Sequence, residues 1–85
     1  MAERINSPGM ICIGEYFESC DFQPCICISV DESGRNIEGI SLIDGHIQSC
    51  SAVHCGIRKL SFQEAIYWKL NGPQGLQVEV ENKWW

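Results

Sequence analysis

The 85-residue sequence contains nothing close to the roughly 18 consecutive apolar residues of a membrane-spanning helix. Its opening residues, Met-Ala-Glu-Arg-Ile-Asn-Ser-Pro, lack the apolar stretch of a secretory signal. A cytoplasmic protein with no membrane partner is therefore expected. Basic residues are also scarce. Six Lys and Arg stand against eleven Asp and Glu, for a net charge of −5. Arg4, Arg35, Arg58, Lys59, Lys69 and Lys83 are scattered, so no basic stripe exists to follow a phosphate backbone, and nucleic acid is excluded as an expected partner. There is no D-x-D-x-D-G calcium loop, no C-x2-C zinc knuckle, and no internal repeat.

What is present is a chain of ordinary apolar content, 45%, which argues for a folded core. The length allows one domain. Residues 1–8 are polar and end at Ser7-Pro8-Gly9, so they are expected to form a disordered lead before a single domain over 9–85. Six cysteines in a reducing compartment read first as small buried residues rather than as disulfides.

Strand signals follow in order. Met10–Ile13 is a continuous apolar run, and residues 14–23 form a loop or kinked strand carrying Tyr16 and Phe17. Pro24 then opens a strand through Val30, with Ile26, Ile28 and Val30 expected on the core face and the smaller Cys25, Cys27 and Ser29 on the other. Asp31–Asn36 is a turn-forming hexapeptide before a strand over Ile37–Ile43, and Asp44-Gly45 is a hairpin turn into a strand that delivers Cys50, His54 and Cys55. Leu76–Trp84 alternates as a last, edge strand.

One helix is written between these strands with both ends marked. Ser61 and Glu64 match the Ser-x-x-Glu capping box, Leu60 and Ala65 have staple spacing, and Asn71-Gly72-Pro73 stops the helix. Phe62, Ile66 and Leu70 recur every four residues and are expected to face the core, while Arg58-Lys59 reads as a solvated pair before the helix. The resulting fold class is mainly β with one helix, in the order β-β-β-β-α-β. A small five-stranded barrel or a strongly bent antiparallel sheet accommodates it. The strand order resembles that of SH3-like barrels, an architectural likeness without a motif.

Three functional classes compete. A metal site would use Cys20, Cys25, Cys50, Cys55 or His54, since two C-x4-C pairs and an imidazole suit tetrahedral zinc. No cofactor is otherwise expected. A thiol-dependent enzyme or redox sensor would place Cys50 or Cys55 beside His54 or His46, with Asp44 orienting an imidazole, but a domain this small is not expected to offer a cleft of about 300 Å³. The reading preferred by elimination is a small non-catalytic protein-interaction module or accessory subunit. It would be a monomer binding another protein through Tyr16, Phe17, Tyr67, Trp68 and Trp85, aided by the acidic stretch 15–21.

Overall fold

The computed structural model describes residues 9–52 and 57–73, together with the backbone of Glu3–Arg4. Its elements are β1 (Glu3–Arg4), β2 (Tyr16–Glu18), β3 (Pro24–Val30), β4 (Asn36–Ser41), β5 (Ile47–Ser51), β6 (Arg58–Leu60) and α1 (Phe62–Asn71). The strands form one antiparallel sheet in the order β1-β6-β2-β3-β4-β5. Among the described residues the sheet is open, so of the two expected architectures the closed SH3-like barrel is not formed by these strands, and what they form is a single antiparallel sheet with a helix laid on one face.

The strand order also departs from the expected one. Met10–Ile13 is irregular, and Ile11 alone of that run is buried. The first hairpin instead starts at Tyr16, inside the stretch 14–23 expected as a loop or kinked strand. Arg58–Leu60, read as a solvated pair and a staple residue, is a strand between β1 and β2, while Glu3–Arg4 lie in the expected lead and pair with Lys59 and Arg58. The expected strand over 76–84 lies outside the described residues.

Both central turns form as their residues dictate. Asp31 accepts hydrogen bonds through Oδ1 from Ser33 Oγ (2.9 Å) and from the amides of Arg35 and Asn36, and through Oδ2 from Asn36 Nδ2 (2.7 Å). Gly45 supplies the positive φ, 76°, needed between β4 and β5.

Strand β3 carries the main surprise. Cys25 opposes Ser41, Ile26 opposes Ile40 and Cys27 opposes Gly39. The ladder then resumes with Ser29 opposite Glu38 and Val30 opposite Ile37, so Ile28 is the extra residue of a β-bulge. Cys25 and Cys27 point into the core, Ile28 points out, and Val30 packs against the core after the bulge. The expected assignment of faces is thus inverted for the first half of the strand and holds for Val30. The small side chains face inward because bulk arrives from elsewhere. Phe17, Ile11, Ile37 and Ile57 fill the space above Cys25, Cys27 and Cys50. The ring of Phe17 lies so close to Gly39 that a Cβ there would sit 2.6 Å from two ring carbons.

Helix α1 begins and ends where expected. Ser61 Oγ accepts from the Glu64 amide (3.1 Å), Glu64 Oε1 accepts from the Ser61 amide (2.9 Å), and the Gly72 amide donates to the Trp68 carbonyl (2.8 Å). Leu60 and Ala65 are both buried in a second core cluster with Trp68, against which Tyr16 and Leu42 pack. The helix is rotated from the expected setting, however. Ala65 and Trp68 face the sheet, while Phe62, Ile66, Tyr67 and Leu70 face outward. Ala65 lets the helix approach closely, and the Trp68 indole N–H needs a buried acceptor, which only one side of the helix offers.

Candidate functional site

The acceptor is Glu18. It sits directly opposite Arg58 in the β2–β6 ladder, and its carboxylate takes bonds from Arg58 Nε (2.8 Å) and Nη2 (2.7 Å) as well as from Trp68 Nε1 (2.7 Å). The Arg58 guanidinium also lies 5.5 Å from the Trp68 ring centre, a cation–π distance. Glu18 is 3% exposed and the Arg58 side chain 19%, so the pair is shielded from water. One residue further along, Lys59 Nζ meets Glu15 Oε2 at 2.8 Å, and this contact holds the Glu15 carboxyl below its usual range. The acidic stretch expected to form an interaction surface is thus partly committed to locking β2, β6 and α1 together. Trp68 and Phe17, named for that surface although their settings read equally as core aromatics, are buried: Trp68 by its bond to Glu18, Phe17 by its seat over Gly39.

What lies open is on the helix side of the sheet. Leu60 opposes Tyr16, Tyr16 opposes Ile26, Ile26 opposes Ile40, and Ile40 opposes Ile47. Directly opposed residues share a face, so one apolar row crosses five strands. Burial falls along it: Leu60 is buried beneath the helix, Tyr16 and Ile26 are half-buried, Ile40 is exposed and Ile47 is 61% exposed. At the covered end the Tyr16 and Phe62 rings touch, with centres 5.6 Å apart. Beside that contact the helix presents Phe62 (59% exposed), Tyr67 (47%) and Leu70 (72%). The next row, Ser29, Glu38 and Ser49, is polar. Sequence periodicity marked the helix stripe but assigned it to the core. The sheet row depends on cross-strand register, which is not a local property.

The cysteines divide into two groups. Cys25 and Cys27 are buried thiols, and burial pushes Cys25 up to about 12 and raises Cys27 as well. Cys20, on the β2–β3 loop, and Cys50, on β5, bring their sulfurs to 3.6 Å. His54, Cys55 and Trp85 lie outside the described residues. Among the described residues no group of three or more His, Cys, Asp or Glu side chains is placed to hold a metal ion. His46 does meet Asp44, Nδ1 to Oδ2 at 3.2 Å, but on an exposed turn.

Two grooves are larger than expected for so small a domain. One of about 460 Å³ is lined by Glu15, Tyr16, Lys59, Leu60, Phe62 and Glu64 among others, and one of about 350 Å³ by Asp31, Glu38, Ser49 and Cys50 among others. Neither brings a described histidine to a thiol. Among the described residues no helix is long and apolar enough to cross a membrane. Comparison with family models, with curated proteins and with solved structures finds no match to this chain.

Proposed function

We propose that this domain is a non-catalytic interaction module whose docking surface is the open end of the apolar row together with the outer face of α1. The observation that carries the reading is the contiguous series Tyr16, Ile26, Ile40, Ile47, half-buried to exposed, next to the exposed Phe62, Tyr67 and Leu70. A soluble domain seldom leaves a large apolar surface open unless something covers it.

The partner is another protein, and its chemistry follows from the rim. Glu38 flanks the row, Glu64 lies on the helix, and the chain carries a net charge of −5. An amphipathic segment with an apolar ridge and basic flanks fits best, since opposite charge speeds encounter and apolar burial supplies affinity.

The test places a photo-crosslinking residue at Leu70 or at Ile47 in cells, with Ile13, exposed but off the row, as the control. Both positions should capture the same heterologous protein, through a segment rich in apolar and basic residues. Leu70→Glu and Ile47→Glu should abolish capture while leaving the melting temperature unchanged. Capture of only a second copy of the chain, or no more capture than at Ile13, would overturn the reading.

A further inference from the structure

Cys20 is held by a turn with little freedom. The amide of Ser19 donates to the Gln23 carbonyl and that of Phe22 to the Ser19 carbonyl, each at 2.9 Å, while Ser19 Oγ accepts from the amides of Asp21 and Gln23. This is a three-residue hairpin loop whose last position needs a left-handed backbone. Glycine is usual there, but this chain places Phe22 with φ 62°. The loop folds over the sheet as far as β5, where Gln48 Nε2 donates to Gln23 Oε1 at 3.3 Å. Gln48 and Cys50 are two residues apart on β5 and so share a face. Two side chains of the loop, Cys20 and Gln23, therefore meet two of β5, Cys50 and Gln48. The sulfurs stand 3.6 Å apart, in van der Waals contact.

The geometry points to Cys20 and Cys50 as a reversible dithiol–disulfide pair that fastens the Ser19–Gln23 loop to β5, formed by exchange with a low-molecular-weight disulfide such as oxidised glutathione. Cys20 is exposed and Cys50 is buried, which sets the order of events. The Cys20 thiol gives its proton to solvent and attacks one sulfur of the reagent. The reagent's S–S bond breaks, one thiolate leaves and takes up a proton, and Cys20 is held as a mixed disulfide. Cys50 then loses its proton and attacks the Cys20 sulfur, expelling the second reagent thiolate. Two protein thiols are oxidised with loss of two hydrogens, and one reagent disulfide is reduced to two thiols.

The disulfide length of about 2.05 Å requires the sulfurs to close by about 1.5 Å, within reach of side-chain rotation and a small shift of the exposed loop. Cys25 and Cys27 do not compete, because their sulfurs donate to the Gln23 and Ser29 carbonyls and burial raises both thiols, whereas the buried Cys50 already has its sulfur against that of Cys20. The pair does not depend on the docking surface, since it cross-links whether or not a partner binds.

The test equilibrates the full chain in glutathione buffers of graded redox ratio, quenches with acid, alkylates, and maps the products by mass spectrometry. A Cys20–Cys50 cross-linked peptide should appear as the oxidised fraction rises and vanish when it falls, with Cys20 alkylation slowed about tenfold or more in the oxidised form. Cys50→Ser should retain glutathione on Cys20, and Cys12→Ser, at an exposed thiol elsewhere, should cross-link as the parent does. A stable glutathione adduct on Cys20 of the parent chain would overturn the proposal. So would a cross-link to a different cysteine, or a pair released by a zinc chelator rather than by reduction.

Discussion

Replacing Glu18 by alanine is the most informative single perturbation, because three hydrogen bonds and the orientation of the helix meet at one carboxylate. Removal leaves the Arg58 guanidinium and the Trp68 indole N–H facing a void. Breaking a buried ion pair from one side costs about 3–5 kcal/mol. The 19% exposure of Arg58 lets water reach part of the guanidinium, which favours the lower end, about 3 kcal/mol. A domain of this length has a total stability on the order of 4–13 kcal/mol, so the loss consumes much of it. Trp68→Phe, which deletes one bond to a charged acceptor, should cost about 1.5–3 kcal/mol. Glu18→Leu combined with Arg58→Met should be less damaging than Glu18→Leu alone, since no unpaired charge is then left buried. The assay is urea unfolding followed by tryptophan fluorescence, with midpoints and slopes compared across the set. A Glu18→Ala change of less than about 1 kcal/mol would place the pair among ordinary surface ion pairs and refute the argument.

Gly39→Ala should destabilise by about 1–3 kcal/mol, measured by the same unfolding, because its Cβ would enter the ring of Phe17, itself enclosed. Ser61→Ala should lower stability by about 0.5–2 kcal/mol through loss of the cap, and an unchanged midpoint would show that the Ser61–Glu64 pair does not support the helix. Asp31 is held down to about 2, first by the Asn36 side chain and then by Ser33. Its folded value lies below the unfolded value of about 3.9, so its contribution is present above that pH and lost as pH falls through about 2. The stability difference between the parent and Asp31→Asn should therefore shrink across that interval and stay flat above it. Oxidation of the Cys20–Cys50 pair should raise stability by about 2–4 kcal/mol, read as a shift of the urea midpoint that a reductant reverses.

The parts legible in the sequence are those decided within a few residues. The Ser61–Glu64 box, the Gly72 stop and the turns at Asp31–Asn36 and Asp44-Gly45 each carry their own hydrogen-bond chemistry and form as read. What could not be read depends on distant partners. β2 and β6 are three residues each, too short to show a period, and are joined by a Glu18–Arg58 contact spanning forty positions. The helix stripe of Phe62, Ile66 and Leu70 was a correct period on the wrong face. Only the buried acceptor reveals that Trp68 sets the rotation. For the same reason the apolar row stayed invisible, since Tyr16, Ile26, Ile40 and Ile47 become neighbours only through register. The sequence marks Cys20 and Cys50 as candidates for one site, but their docking through a hairpin loop with Phe22 at a glycine-like position carries no local signal.

The extra residue in β3 also bears on how the hairpin finds its alignment. In a regular ladder a slide of two residues keeps every side chain on its own face, and thiols as small as those of Cys25 and Cys27 would discriminate poorly between the native pairing and the slipped one. With Ile28 bulged between Cys27 and Ser29, a two-residue slide brings the surplus backbone opposite a different part of β4, away from the step between Gly39 and Glu38 that accommodates it. Only one alignment places Gly39 under Phe17 and Ile37 beside Val30 at once. The irregular backbone thus acts as a keying device, guarding against mispairing during folding in a strand whose inward side chains are too alike to do so.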